Sequence, residues 1–238
     1  MKKTVIVMPV ANEEETMAQV LDEILALPYD NLYVYPILDN YTKDHTEDIV
    51  KKYEKETGRV KDIFYEDSRG VVSCYLYGFK KALEDGAEQI IEMDGGGSHQ
   101  PKELPQFIDS LDKGYDCVFG SRFIKDGGVV NDPLYRHALS FGGTLLSNIV
   151  LKTSYKDMTS GFEAFSRDVL LSLNLDKFLS KGHIYQTEMR YYCRNLNHIE
   201  VPIHYIAGGS SLKMKSVKEA LSVLFRLKEN EENVHISA

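Results

Sequence analysis

Residues 4–25 read TVIVMPVANEEETMAQVLDEIL, and a change of period inside this stretch decides the fold class. Residues 4–8 form an unbroken, β-branched apolar run that stops at Pro9, the pattern of a strand buried on both faces. Asn12 then stands where a helix N-cap is expected, with Glu15 spaced for a capping box. Met17, Val20, Leu21, Ile24 and Leu25 follow at intervals of three and four, which is the apolar stripe of an amphipathic helix. The unit is strand, loop, helix.

The same unit repeats outward. Residues 33–38 are a second apolar strand ending at Asp39, although Pro36 inside it would by rule push it to a sheet edge. A charged helix is expected over 44–55 and a third strand over 60–65. Val72, Tyr75, Leu76, Phe79, Ala82 and Leu83 mark another amphipathic helix. Residues 89–93 are a fourth strand, stopping at Asp94 and the glycines 95, 96 and 97. Pro101 opens a helix with Leu104, Phe107, Ile108 and Leu111 inward, and 116–120 is a fifth strand. Alternating strands and helices predict an α/β domain with a mostly parallel central sheet covered on both faces. Right-handed crossovers then gather the strand-end loops on one edge, where ligands of such sheets bind.

The second half changes character. A Gly-rich loop over 126–133 leads into a helix without a charged residue from 138 to 151. Further elements are a helix over 183–196, a strand over 198–206 with Pro202 early in it, and a last helix over 215–228. That last helix carries Lys213, Lys215, Lys218, Arg226 and Lys228 beside Val217, Ala220, Leu221, Leu224 and Leu227. Both it and the uncharged helix are open to two readings: packing on the domain or on a second subunit, or lying at a membrane interface near a lipid.

The chain has 238 residues, 43% of them hydrophobic and 27% charged, which suits one large α/β domain. A formal charge of −8 argues against nucleic acid as a partner, because phosphate neutralisation needs a basic surface. Three scattered cysteines, Cys74, Cys117 and Cys193, fit a reducing compartment and give no zinc framework. The first fifteen residues turn acidic after one short apolar run, unlike a signal peptide, and no stretch approaches the roughly 18 apolar residues of a bilayer span. The expected location is the cytoplasm, including the inner face of the membrane.

Asp39 and Asp94 are the informative carboxylates, each at a strand end on the binding edge. One can accept hydrogen bonds from a base or ribose, and the other can hold a divalent cation that neutralises a diphosphate. Either can equally be a turn former. The glycine-rich signatures GxGxxG and GxxxxGKS are absent, which disfavours dinucleotide-dependent dehydrogenases and P-loop proteins.

Seven segments occur in order: VIVMPVANEEETM, PILDNYTKDHTEDI, SRGVVSCYLYGFKKAL, IIEMDGGGSHQPKELPQFI, YDCVFGSRFI, YRHALSFGGTLLSNIVL and DMTSGFEAFSRDVL. Together they resemble glycosyltransferase family 2, and within it the dolichol-phosphate (polyprenyl-phosphate) mannosyltransferase-like group. The resemblance covers roughly residues 5–227. It implies a GT-A fold and an inverting transfer of a sugar from a nucleotide diphosphate sugar, UDP- or GDP-linked, to a lipid phosphate acceptor, with Mg2+ or Mn2+ as cofactor. Residues 1–212 would be a single catalytic domain, with 1–122 binding the nucleotide sugar and 123–212 the acceptor. Residues 213–238 would form an amphipathic helix and tail.

By matching motif positions, the resemblance assigns Pro9, Ala11, Asn12 and Glu13 to the first nucleotide-contacting loop and Asp39 to base or ribose reading. Arg69 and Gly70 fall in the segment leading to the helix beneath the nucleotide. Asp94 matches the first carboxylate of the DxD metal motif, and Arg122 the arginine of the GSR segment. Arg122 and Arg136 are the candidates to clamp phosphate oxygens, since guanidinium meets phosphate in a bidentate fashion. Glu188 resembles the family's catalytic acidic position, and Asp157, Thr159 and Ser160 are candidates to shape the acceptor site. Glu188 reads equally well as an ordinary N-terminal helix glutamate, and the other three as a turn and cap.

Two departures stand out. The usual Asp-Asp after the second strand is Asp39-Asn40, and the usual DxD is Asp94-Gly95-Gly96. The missing carboxylate predicts weaker metal binding, with Ser98, His99 or His204 as candidates for a further ligand. It also keeps a second reading open, that of a nucleotide-sugar-binding or scaffolding protein that has lost catalysis. A nucleotidyltransferase is disfavoured, because PVANEEE lacks the glycines its first loop would need. If the acceptor is a phosphate, its oxygen is already ionised and no strong general base is required; a hydroxyl acceptor would need one.

Overall fold

A computed structural model describes residues 2–68, 70–131, 134–207 and 214–229, with the side chains of residues 134, 136 and 214–216 outside that description. The first unit is β1 (Thr4–Val10) and α1 (Met17–Leu25), followed by β2 (Leu32–Asp39) and α2 (Thr46–Thr57). Next come β3 (Ile63–Tyr65), α3 (Val71–Glu84), β4 (Gln89–Glu92), α4 (Leu104–Asp112) and β5 (Cys117–Ser121). The second half holds β6 (Gly128–Val130), α5 (Leu134–Leu151), β7 (Glu163–Ser166), α6 (Arg167–Ser172) and α7 (Tyr185–Tyr192). It ends with β8 (His198–Pro202), β9 (His204–Ile206) and α8 (Met214–Glu229).

The seven-stranded sheet has the order β3-β2-β1-β4-β7-β5-β8, and β6 pairs with β9 in a separate parallel ribbon. Alternation along β1 splits the core in two. Val5 and Val7 pack with Tyr75, Phe79 and the α7 residues Tyr185 and Met189, whereas Ile6, Met8 and Val10 pack with Val20, Leu21, Ile24 and Phe107. Both faces being covered is the reason β1 reads as continuously apolar.

The sequence expectations meet four corrections. β1 continues through Pro9 to Val10, and α1 begins only at Met17, so Asn12 is not its N-cap. Asn12 instead takes a left-handed backbone (φ 57°), which asparagine tolerates in turns. β2 is an inner strand despite Pro36. The Val34 amide donates to Arg59 O on the β3 side, and alternation puts the missing N–H of Pro36 on that same side. The outer strand is interrupted there, between the Val34–Val60 bridge and the Ile37–Ile63 pair, so no ladder bond is lost.

The third correction is β7, a strand absent from the sequence reading. It runs antiparallel between β4 and β5, in the middle of the sheet. The fourth is the stretch 198–206, which splits at Ile203: β8 joins β5, and β9 leaves to pair with β6. The Ile206 amide donates to Ser98 O at 2.9 Å, so this ribbon rests against the loop that follows β4. Helices α5 and α8 pack on each other. Among the described residues no helix is long and apolar enough to cross a membrane.

Candidate active site

The C-terminal ends of β1, β2 and β4 lie on one edge of the sheet, and hydrogen bonds tie their loops together. The Lys43 amide donates to Asn12 Oδ1 (2.8 Å), and Asn12 Nδ2 donates to Tyr41 O (3.2 Å). The Glu14 amide donates to Asp44 Oδ2 (3.0 Å) and the Glu13 amide to Thr46 Oγ1 (2.8 Å). Asp39 ends β2 and is buried, accepting the Tyr41 amide at 2.9 Å. Pro9 lies among the last paired residues of β1 and Ala11 begins the first loop, and Gly70 opens α3 with φ 111°, a conformation glycine alone adopts readily. Arg69, expected beside it, lies outside the described residues, as does the side chain of Arg136.

Asp94 follows β4, and its side chain is 39% exposed. Three contacts fix it. The Tyr75 hydroxyl donates to Oδ1 at 2.8 Å, the Asp94 amide donates to His99 Nδ1 at 3.0 Å, and His99 Nε2 lies 3.9 Å from Oδ2. His99 is buried against Phe162, ring centroids 4.8 Å apart, and burial holds its pKa down despite Asp94. To accept an amide proton at Nδ1 the neutral ring must carry its own proton on Nε2, which leaves no lone pair for a metal. His99 therefore orients Asp94 rather than joining it as a ligand, which corrects the sequence expectation. His204 Nδ1 is engaged by Glu103 Oε1 at 3.0 Å.

Glu13 approaches from the first loop. Thr16 Oγ1 donates to its Oε2 at 3.3 Å. Burial raises its pKa, the Thr16 bond opposes this, and the charges of Asp44 and Asp94 add to the rise. Among the described residues no group of three or more His, Cys, Asp or Glu forms a ready metal cage. The donors present are hard carboxylate oxygens, Asp94 at the strand end and Glu13 against Gly96, where a Cβ would stand 3.0 Å from Glu13 Oε1. Magnesium and manganese suit such a set, because they retain waters and accept diphosphate oxygens. The carboxylates of Asp94 and Glu13 therefore fit a divalent cation by the chemistry of their oxygens.

Beyond Asp94 stands an arginine–carboxylate pair. Arg122 donates through Nε to Asp157 Oδ2 (2.7 Å) and through a terminal nitrogen to Asp157 Oδ1 (2.8 Å) and Thr159 Oγ1 (2.6 Å). Asp157 is fully buried. Burial alone would raise its pKa, but the Arg122 bonds and charge hold it below the ordinary carboxylate value. The guanidinium also lies over the rings of Phe123 and Tyr205. The nearby Ser160 carbonyl accepts from Arg190 at 2.8 Å.

Glu188 lies on α7, apart from these loops. It is buried at the first turn of α7, where Oε1 accepts the Leu179 amide (2.8 Å) and the Tyr192 hydroxyl (2.6 Å). Oε2 accepts the Ser180 amide (2.9 Å) and the Ser180 hydroxyl. Its lone pairs are taken up by the loop at 179–180 and by Tyr192 of its own helix, a geometry that does not suit the base expected at this position.

The sequence reading missed a buried trio beneath Asp94. Glu92 and Glu163 are register partners across β4 and β7, and Arg190 pairs with Glu163. Burial first, then the Glu163 and Asp94 charges, push the Glu92 pKa well up. A glutamate inside the otherwise apolar strand IIEM was the available signal.

The sequence profile of glycosyl transferase family 2 matches residues 5–173, more than half of the chain. The chain belongs to glycosyl transferase family 2. Similar members include an undecaprenyl-phosphate mannosyltransferase of Micrococcus luteus, 31% identical over 90% of this chain and 89% of that protein. A polyprenol monophosphomannose synthase of Mycolicibacterium smegmatis is 29% identical over 92% and 84%. Among solved structures, the family's GT-A fold recurs in glucosyl-3-phosphoglycerate synthase of Mycobacterium tuberculosis, crystallised with Mn2+, UDP-glucose and phosphoglyceric acid. That match has a TM-score of 0.72 at 14% identity, over 96% of this chain and 80% of that one. As a family 2 protein the chain is a glycosyltransferase.

Proposed function

We propose that this glycosyltransferase moves a hexosyl unit, mannose by the names of its relatives, from a nucleoside diphosphate sugar to a polyprenyl phosphate, with inversion at the anomeric carbon. The observation that carries the reading is Asp94: a half-exposed carboxylate at the end of β4, oriented by Tyr75 and His99, on the edge it shares with Asp39. Residues 1–122 form the donor half, with Pro9, Ala11, Asn12, Glu13, Asp39, Arg69 and Gly70 around the nucleotide. Residues 123–212 form the acceptor half.

In the reaction a phosphate oxygen of the acceptor attacks the anomeric carbon from the face opposite the diphosphate. The carbon–oxygen bond to the diphosphate breaks, and its electron pair leaves with the nucleotide. Asp94 would hold a divalent cation, which when bound would supply electrostatic neutralisation of the leaving diphosphate. Arg122, oriented by Asp157 and Thr159, adds positive charge on the acceptor side, and Arg136 is its proposed partner there. A phosphate nucleophile is already ionised near neutral pH and needs no base, which accords with Glu188 being committed to the loop at 179–180. Positioning carries the remainder of the rate.

We further propose that a lipid surface presents the acceptor from the cytoplasmic side. One stripe of α5 leaves Leu139, Phe141, Leu145 and Ile149 exposed, Ile149 at 67%, and α8 leaves Val217, Leu221 and Phe225 exposed beside it. Contiguous apolar surface of this kind marks a membrane or protein contact. Flotation with anionic liposomes tests the point: Leu145→Asp with Ile149→Asp is expected to release the protein.

The test of the main reading is a thermal-shift panel of UDP- and GDP-sugars with and without Mn2+, followed by transfer to undecaprenyl phosphate. A ligand at about 100 times its Kd adds roughly 2.7 kcal/mol. One nucleotide sugar is expected to shift Tm in a metal-dependent way and to give a lipid-linked product. Silence across the panel overturns the reading.

A further inference from the structure

The glycines that follow Asp94 are there for different reasons. Gly97 has φ +76° and so needs glycine for its backbone. Gly96 has no such requirement, since its φ lies outside the left-handed region. What it meets is space: a Cβ on residue 96 would stand 3.0 Å from Glu13 Oε1, 3.1 Å from Oε2 and 3.3 Å from Cδ. The carboxylate of Glu13 thus stands where the side chain of residue 96 would begin, two residues after Asp94.

Glu13 is also built into position. Its amide donates to Thr46 Oγ1, its carbonyl accepts from Thr16 and Met17 at the start of α1, and Thr16 Oγ1 reaches its Oε2. Oε1 accepts no hydrogen bond among the described residues and is the oxygen nearest to Gly96. A side chain pinned at its backbone and at one oxygen, with the other oxygen open toward the Asp94 loop, has the form of a ligand with one free donor.

We propose that Glu13 supplies from the first loop the second carboxylate of the divalent-cation site, in the place left by Gly96. Asp94 and Glu13 then give the two hard oxygen ligands that a magnesium or manganese ion takes beside diphosphate and water oxygens. Gly96 is the complement of Glu13: a carboxylate at both positions would crowd two like charges into one cradle. The proposal rests on the nucleotide-and-metal reading above and adds to it the source of the second ligand.

Metal binding can be read without turnover, from the water-proton relaxation enhancement of Mn2+ with UDP and, separately, with GDP. The unmodified protein is expected to form a ternary complex with one of them. Loss of a partner of a metal ligand costs about 10- to 100-fold in affinity, so Glu13→Gln is expected to weaken Mn2+ binding by about tenfold or more, with Tm nearly unchanged. Gly96→Asp alone is expected to weaken it as well, because the new carboxylate collides with Glu13. Glu13→Ala combined with Gly96→Asp, which removes both the charge and the side-chain atoms that a Cβ at 96 would meet, is expected to restore binding to within about threefold, a rescue that misfolding cannot mimic. No enhancement from the unmodified protein with either nucleotide overturns the nucleotide-and-metal reading itself. Enhancement that survives Glu13→Gln undiminished overturns only the role of Glu13. Weakening without rescue in the double variant overturns it too, since a residue that merely shapes the loop predicts that outcome.

Discussion

Arg122 and Asp157 are joined by two parallel hydrogen bonds, Nε to Oδ2 at 2.7 Å and a terminal nitrogen to Oδ1 at 2.8 Å, across 35 positions of sequence. The Arg122 amide donates to the same carboxylate at 3.1 Å, so backbone and side chain are fixed together. Asp157 in turn takes its backbone position from Glu200, whose carboxylate accepts the amides of Lys156 and Asp157. The strand β8 thereby sets the direction in which Arg122 points.

Removing Asp157 would take from a largely buried guanidinium, 10% exposed, the carboxylate to which it donates twice. Breaking such a pair from one side costs about 3–5 kcal/mol, about 6–20 °C in Tm for a chain of this size. Asp157→Ala is expected to show this loss in thermal denaturation. The double variant with Arg122→Gln is expected to lose less than the sum of the single losses, which a double-mutant cycle measures directly.

Glu92 gives a pH dependence of definite sign. Its folded pKa lies well above the ordinary 4.5, from burial first and then from Glu163 and Asp94. Glu163 is pushed up to about 8, burial outweighing the Arg190 charge. The folded protein therefore holds protons that the unfolded chain releases, so stability falls as pH rises. The contribution is complete below about pH 4.5 and shrinks toward pH 8, by up to about 1.4 kcal/mol per group and pH unit. Glu92→Gln is expected to raise Tm at pH 8, by about 2–4 °C for each kcal/mol so relieved, and to converge with the unmodified protein near pH 5. Parallel Tm-against-pH curves for the two proteins would remove Glu92 as a source of the slope.

The contrast between β1 and β7 shows what the sequence could and could not reveal. In TVIVMPV, apolar residues on both faces and a following 3.6-residue stripe identify strand and helix without tertiary information. EAFS at β7 is four residues long, opens on a buried glutamate and has no β-branched side chain. It is a strand because β4 and β5 pair with it from both sides, and pairing is not written in local sequence. The site divides the same way. Asp39 and Asp94 were legible because strand ends announce themselves. The bond from Lys43 to Asn12 and the approach of Glu13 to Gly96 join segments 31 and 83 positions apart, and only the crossovers bring them together.

Glu188 separates a structural carboxylate from a catalytic one. Glu188→Gln turns one acceptor oxygen into a donor facing either the Leu179 amide or the Ser180 amide. Each buried group left unpaired costs about 1–3 kcal/mol. Tm is expected to drop by about 5–15 °C, while turnover measured well below Tm stays within about tenfold. A general base would behave in the opposite way, losing about 10²- to 10⁴-fold in rate with Tm intact.

Tyr75 offers the cleanest single-atom test of the Asp94 site. Its ring is buried, stacked at 6.1 Å on Tyr185 and at 6.2 Å on Phe79, and only its hydroxyl reaches Asp94 Oδ1. Tyr75→Phe keeps the packing and removes the oxygen. Because Asp94 is partly solvated, water replaces the lost donor and stability is expected to change by less than about 1 kcal/mol. The carboxylate, however, loses the bond that fixes its rotamer, so the Mn2+ concentration for half-maximal activity is expected to rise and kcat to fall about tenfold, equivalent to about 1.4 kcal/mol. The nucleotide-sugar KM, measured at saturating Mn2+, is expected to move less than twofold, since Asp39 and the first loop are untouched. A variant with lowered Tm and an unmoved Mn2+ midpoint would make the hydroxyl a packing element, and the orientation of Asp94 would then rest on His99 alone.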